Sequence, residues 1–167
     1  AGAGDDVGQA DMLLEYLHIL GFEHVDLVEN IRDLWRKLKE KEAAQESAQD
    51  DAKSEAYEII LLDYMLPDGT GLDVLKQMPE RGCQIPVIMV TGQGSERIAA
   101  QAIQNGAADY LIKTGGYLMT IPALIKKTLD AQKLKLSIQR SLQALRESEA
   151  RYRAIVEDYQ TELICRY

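Results

Sequence analysis

Three short apolar runs, each ending in a polar residue of a different kind, set the tightest limit on what this chain can fold into. Glu58-Ile59-Ile60-Leu61-Leu62 ends in Asp63, Ile85-Pro86-Val87-Ile88-Met89-Val90 ends in Thr91, and Ala108-Asp109-Tyr110-Leu111-Ile112 ends in Lys113. Runs this short and this continuous predict strands buried on both faces. A carboxylate, a hydroxyl and an ammonium then stand at the C-terminal ends of three strands. In open α/β sheets that edge is where ligands bind. Three complementary groups on one edge point to a site that accepts a phosphoryl group.

Helical patterns alternate with these strands. Met12, Leu13, Leu17 and Leu20 follow helical spacing over residues 10–20, and Gly21 stops the helix. His24-Val25-Asp26-Leu27-Val28 alternates and predicts a further strand. Ile31, Leu34, Trp35 and Leu38 mark a second helix. It runs into residues 39–56, a charged, alanine-rich stretch without Gly or Pro, expected as an extended solvent-exposed helix or a disordered surface insertion. A turn-rich loop, Pro67-Asp68-Gly69-Thr70-Gly71, follows Asp63 and leads into a helix over residues 72–78. Ser95 is the expected N-cap of a helix over residues 96–105, and Gly106 its stop. Short connections between alternating strands and helices imply a parallel sheet with right-handed crossovers. Ala1-Gly2-Ala3-Gly4 occupies the place of a first strand, in residues that form strands poorly.

Pro122 suits the first turn of a helix, and no Gly or Pro follows it up to Tyr167. Ile138, Leu142, Leu145, Glu149, Tyr152 and Val156 step by alternating fours and threes, a heptad-like seam broken by Glu149. A helix from Pro122 to about Arg153 would be roughly 45 Å long, more than a compact domain of this size covers. The spacing predicts an extended helix that pairs with a second copy.

Composition excludes several classes of function. The 167 residues suffice for one domain and a fragment of another, and 46% are hydrophobic, enough for a core. A net charge of -8 leaves no basic face for nucleic acid. No run has the length of a membrane span and no signal-peptide pattern opens the chain, so a cytoplasmic protein is expected. Cys83 and Cys165 form no ligand-spaced motif and read as reduced thiols. His18 and His24 are isolated, which argues against zinc.

In this order the motifs resemble the response-regulator receiver domain, the phosphoacceptor module of two-component signalling. They are Asp5-Asp6 before the first helix, Asp63 with Met65-Leu66-Pro67-Asp68-Gly69-Thr70-Gly71, Thr91-Gly92, and Lys113. The resemblance covers about residues 5 to 130. It implies a flavodoxin-like, doubly wound α/β fold with a five-stranded parallel sheet of order 2-1-3-4-5, here with an extended C-terminal helix. It also implies that Asp63 is phosphorylated by a histidine kinase or histidine phosphotransfer protein. Mg²⁺ would be held by Asp5, Asp6, Asp63 and the backbone carbonyl of Met65. Thr91 and Lys113 would contact the phosphoryl oxygens, Gly92 would leave room beside them, and Tyr110 would turn inward as Thr91 moves. Met65 and Gln93 flank the path of the attacking water and would tune the lifetime of the phosphoryl group. Counted back from Gly21 without a gap, the acidic pair falls on Gly4 and Asp5; with a one-residue gap it falls on Asp5 and Asp6. Thr114 stands where the family usually has Pro, so no cis X-Pro bond is available there.

The chemistry is consistent with these residue types. A carboxylate takes a phosphoryl group only when its charge and the donor's are offset, which a hard divalent ion does. Without metal, two carboxylates at roughly 5 Å and a dielectric near 20 repel by about 3 kcal/mol. The tail, Arg151-Tyr152-Arg153-Ala154-Ile155-Val156-Glu157 and Thr161-Glu162-Leu163-Ile164, resembles the opening of a PAS sensory domain. The expected organisation is a receiver domain over 1–121 with a charged insertion at 39–56, a linker helix over 122–151, and the start of a PAS-like domain over 152–167. The linker would form a homodimer and pass the signal to a covalently linked output domain. On this reading the chain is a signalling phosphoacceptor rather than an enzyme. Two alternatives belong to other classes. A degenerate receiver would serve only as a dimerisation module. A phosphohydrolase of the haloacid-dehalogenase type would need a second acid two residues after Asp63, where Met65 stands.

Overall fold

The structure, a computed structural model, describes residues 3–47, 56–92 and 96–165. The chain divides into two compact units, Ala1–Leu129 and Asp130–Tyr167. The first contains a parallel sheet of β1 (Ile60–Asp63), β4 (Val87–Thr91) and β5 (Asp109–Ile112), in the spatial order β1-β4-β5. Between β1 and β4 lie a small antiparallel hairpin, β2 (Met65–Leu66) and β3 (Gly69–Thr70), and the helix α3 (Gly71–Gln77). The other helices are α1 (Ala3–Ile19), α2 (Ile31–Ser47), α4 (Glu96–Gln104) and α5 (Ile121–Cys165), with a short 3₁₀ turn at Tyr117–Met119.

β4 is central, and all five of its residues are buried, as a strand covered on both faces requires. Val87 and Met89 face one layer, with Leu34 and Leu38 of α2 and Val74 and Leu75 of α3. Ile88 faces the other, with Leu17 of α1 and Ile121 and Ile125 of α5. The sequence turns helices on and off locally. Gly21 (φ 94°) and Gly106 (φ 99°) take the left-handed conformation after α1 and α4. In each case the next residue's N–H reaches back into the last turn, Phe22 to the Leu17 carbonyl and Ala107 to the Ala102 carbonyl. Thr70 and Asp73 form a reciprocal capping box that starts α3.

The fold class is the expected flavodoxin-like one, but the sheet has three strands among the described residues, not five. Ala3 and Gly4 lie in the first turn of α1, and Ala1 and Gly2 fall outside the described residues. Residues 22–28, expected to include a strand over 24–28, carry no ladder. The two differences have one physical cause. In the order 2-1-3-4-5 the second strand pairs only with the first, and with no first strand among the described residues, residues 24–28 have no described neighbour to bond. The charged stretch after Leu38 is helical and almost wholly exposed up to Ser47, the end of α2; residues 48–55 lie outside the described residues, as does Ser95.

In the second unit α5 continues as a single helix. Its residues from Asp130 to Asp158 are exposed except for the half-buried Gln132 and Val156. No helix of the described residues is long and apolar enough to cross a membrane.

Candidate functional site

Asp63 is the last residue of β1, Thr91 the last of β4, and Lys113 follows the last of β5. The parallel register places Asp63 beside Val90 and Thr91 beside Ile112, so the three residues share one edge of the sheet. Backbone bonds continue the ladder past the strand ends: Tyr64 N–H donates to the Val90 carbonyl and Lys113 N–H to the Thr91 carbonyl, each at 2.8 Å. The strand pattern alone thus delivers the three groups predicted from sequence.

Two of the three side chains, Asp63 and Lys113, meet as well. Lys113 Nζ donates to Asp63 Oδ2 at 2.6 Å, and Met65 N–H donates to Asp63 Oδ1 at 3.1 Å. Each carboxylate oxygen is therefore oriented by a separate donor. The Asp63 and Lys113 side chains are 36% and 23% exposed, open enough for a donor molecule to reach. Thr91 is only 2% exposed and lies on the strand between them.

The loop after Asp63 is held from two sides. Gly71 N–H donates to the Tyr64 carbonyl at 2.8 Å, which turns the chain from β1 into α3. A Cβ on Gly71 would lie 2.7 Å from the Asp63 carbonyl oxygen and 2.7 Å from Met89 Sδ. Glycine at this position lets α3 begin directly against the end of β1. Asp68, at the tip of the β2–β3 hairpin, accepts from Ile31 N–H at 2.9 Å and Arg32 N–H at 3.1 Å, the first two amides of α2. Asn30 Oδ1 accepts from Asp33 N–H at 2.8 Å, and Asn30 Nδ2 donates to the Asp33 carboxylate. The N-terminus of α2 is thus capped jointly from within and from the loop beside Asp63. The Ile31 amide bond holds the Asp68 carboxyl below the usual carboxylate range. In the sequence Asp68 stands as one residue of a turn-rich loop. Its partners lie 37 and 36 positions away, and no local pattern signals that bond.

The other predicted residues are placed as follows. Tyr110 lies on β5 and is 39% exposed. Gly92 follows β4 with open space around it, and Gln93 lies outside the described residues. Asp5 and Asp6 lie in the first turns of α1 rather than in a loop before it, and their side chains fall outside the described residues. Among the described residues no group of three or more His, Cys, Asp or Glu is placed to hold a metal ion. Asp63 and the Met65 carbonyl nonetheless offer hard oxygen donors of the kind Mg²⁺ takes. A magnesium site needs only one or two carboxylates beside water and phosphate oxygens. These two donors are of the type that ion takes; the side chains of Asp5 and Asp6 fall outside the described residues.

Comparison with known proteins agrees with this geometry. The response regulator receiver domain family matches residues 3–117. The methanogenesis regulatory protein FilR1 of Methanothrix harundinacea is 42% identical over 73 residues, covering 42% of this chain and 16% of that protein. The transcriptional regulatory protein CiaR of Streptococcus pneumoniae is 40% identical over 82 residues, covering 47% of this chain and 36% of that protein. The chain thus matches well under half the length of these relatives. Among solved structures, a signal receiver domain from Vibrio parahaemolyticus superposes with a TM-score of 0.62 at 25% identity, covering 80% of this chain and 91% of that one. A CheY-like receiver domain protein from Methanospirillum hungatei superposes with a TM-score of 0.59 at 24% identity, covering 78% and 92%, and shares the fold. With the family matched over 115 of 167 positions and the strand-edge triplet in place, the chain belongs to the response regulator receiver domain family.

Proposed function

We propose that Asp63 accepts a phosphoryl group from the phosphohistidine of a histidine kinase or histidine phosphotransfer protein. The observation that carries this reading is the contact of Lys113 Nζ with Asp63 Oδ2, on the edge that also holds Thr91. In the transfer an Asp63 carboxylate oxygen attacks phosphorus and forms the new O–P bond. The N–P bond of the donor breaks, and its electron pair returns to the imidazole. Lys113 is already beside the attacking group. It moves with little displacement to a phosphoryl oxygen, which offsets the charge that builds in transfer. Met65 N–H fixes the carboxylate rotamer, so attack begins from an oriented nucleophile. The Thr91 hydroxyl is the second donor to the phosphoryl oxygens. Mg²⁺, when bound, neutralises charge between carboxylate and phosphate; Asp63, the Met65 carbonyl and either or both of Asp5 and Asp6 would hold it.

Movement of Thr91 toward the new group would draw Tyr110 inward from its exposed position and change the face that β5 and α5 present. The chain would then signal, as a cytoplasmic phosphoacceptor with no nucleic-acid surface of its own, through α5 to a covalently linked output domain. The PAS-like opening at residues 151–164 is a candidate start of that domain. The exposed residues Ile138, Leu142, Leu145 and Tyr152 support a homodimer through α5. Met65 at the position where a phosphohydrolase needs its acid supports a phosphoacceptor over a turnover enzyme.

Intact mass after incubation with acetyl phosphate and Mg²⁺ tests this reading. One added phosphoryl group is expected, absent without Mg²⁺ and absent in Asp63→Asn. No added mass on a folded chain would favour the degenerate receiver.

A further inference from the structure

The hairpin that follows Asp63 is too short to hold its own position. β2 and β3 pair at two positions, Met65 with Thr70 and Leu66 with Gly69. A lone two-stranded ladder is marginal in water even when longer. Met65 adds little packing of its own, since it is 71% exposed. Yet its backbone has an exacting place, because its N–H meets Asp63 Oδ1 at 3.1 Å.

The hairpin is therefore fixed from outside, at its base and at its tip. At the base Gly71 N–H closes the loop onto the Tyr64 carbonyl, and the N–H and hydroxyl of Thr70 donate to Asp73 of α3. At the tip the two oxygens of Asp68 accept separately, Oδ1 from Ile31 N–H and Oδ2 from Arg32 N–H. Packing adds to these bonds. A Cβ on Gly69 would lie 2.8 Å from Ile31 Cδ1, so the tip rests against the first side chain of α2. That helix is a firm support. Ile31, Leu34 and Leu38 are buried in the core cluster that also holds Leu62 of β1 and Met89 of β4.

We propose that Asp68 is a positioning residue for the Asp63 site: by tying the hairpin tip to α2 it fixes the Met65 amide against the phosphoacceptor carboxylate. The proposal deepens the phosphoacceptor reading and rests on it for its consequence in rate. A carboxylate suits the task. It has one acceptor for each amide, and it carries the charge that a helix N-terminus favours. Asparagine has a single acceptor oxygen and would turn N–H donors toward the other amide. The rate depends on this anchor because transfer needs an oriented nucleophile, and about 1 Å of misplacement costs on the order of a hundredfold. Asn30 supplies the control. It caps the same helix, but its bonds run to Asp33 within the same turn. Asn30→Ala therefore weakens the start of α2 without releasing the hairpin tip.

Backbone order parameters from nitrogen relaxation on the full, metal-free chain are the first test. Met65 and Leu66 are expected near about 0.85 in the parent and below about 0.6 in Asp68→Ala. Asp68→Asn is expected between the two, and Asn30→Ala at the parent values. Ordered β4 amides show that each chain is folded; if Asp68→Ala does not fold, Asp68→Asn takes its place in both tests. The second test is phosphorylation by acetyl phosphate with Mg²⁺, expected to be at least tenfold slower in Asp68→Ala than in Asn30→Ala. Unchanged order at Met65 in Asp68→Ala, or equal loosening in Asn30→Ala, overturns the proposal. So do equal rates in the two variants of an active parent. A parent that takes no phosphoryl group overturns the phosphoacceptor reading instead, and the order parameters still decide whether Asp68 holds the hairpin.

Discussion

Replacing Gly71 by alanine tests how the site is assembled. The new Cβ would lie 2.7 Å from the Asp63 carbonyl oxygen and 2.7 Å from Met89 Sδ, each more than half an ångström inside ordinary contact. Met89 is fully buried on the central strand, in a close-packed core that resists its displacement. The Asp63 oxygen is backbone, so relief on that side moves the phosphoacceptor itself. Overpacking costs about 1–3 kcal/mol, and clashes on two sides put this one in the upper half of that range, about 2–3 kcal/mol. Alanine's helix preference at the first position of α3 returns at most about 1 kcal/mol. The net loss is about 1–2 kcal/mol. With a urea slope of about 2 kcal/mol/M, the denaturation midpoint falls by roughly 0.5–1 M. Gly92→Ala is the matched control. It sits next to Thr91, has open space and needs no left-handed φ, so its midpoint should hold or rise slightly. Urea titration followed by far-ultraviolet circular dichroism measures both. A Gly71→Ala midpoint at or above that of the parent would refute the seating of α3 against β1.

Three further outcomes follow from the geometry. Lys113→Met should leave stability within about 1 kcal/mol, because the pair is partly exposed, yet slow phosphorylation by acetyl phosphate at least tenfold; an unchanged rate would remove Lys113 from the transfer step. The Tyr57 hydroxyl donates to Asp26 Oδ2, and Lys37 Nζ lies 3.0 Å from Oδ1. These two contacts hold the Asp26 carboxyl below its ordinary range, so its stabilisation is present above about pH 4 and is lost as pH falls through the lower folded value. Burial and Asp26 push the Tyr57 phenol up, so its contribution is complete below about pH 10 and declines as pH rises beyond that. Stability measured against pH should lose part of its acid fall in Asp26→Asn and part of its alkaline fall in Tyr57→Phe; slopes identical to the parent's would contradict the contact. Glu149→Leu completes the apolar seam of α5 and should tighten self-association about tenfold or more by sedimentation equilibrium; weaker association would argue against that seam.

The parts of the fold that were legible in sequence are those in which local pattern and tertiary setting agree. β4 is a continuous apolar run because it is covered on both faces, and the same burial leaves Thr91 as the first polar residue at its end. The edge of the site was legible for that reason: Asp63 and Thr91 close their strands and Lys113 follows the third. What failed was non-local. Residues 24–28 alternate like a strand, but a strand exists only with a neighbour, and no residue within the segment reports whether that neighbour pairs with it. Asp68 lies in a motif that reads as a turn, while its task is to cap a helix that begins at Ile31. The long helix was expected to about Arg153 and continues to Cys165, since nothing between them breaks a helix.

The most direct test of the central claim is to locate the modification. The chain, treated with acetyl phosphate and Mg²⁺, is reduced with borohydride, which converts an aspartyl phosphate to homoserine, then digested and mapped by tandem mass spectrometry. Homoserine at position 63 and at no other aspartate is the expected result. Conversion elsewhere, or none on a folded chain, would contradict the assignment of Asp63 as the phosphoacceptor.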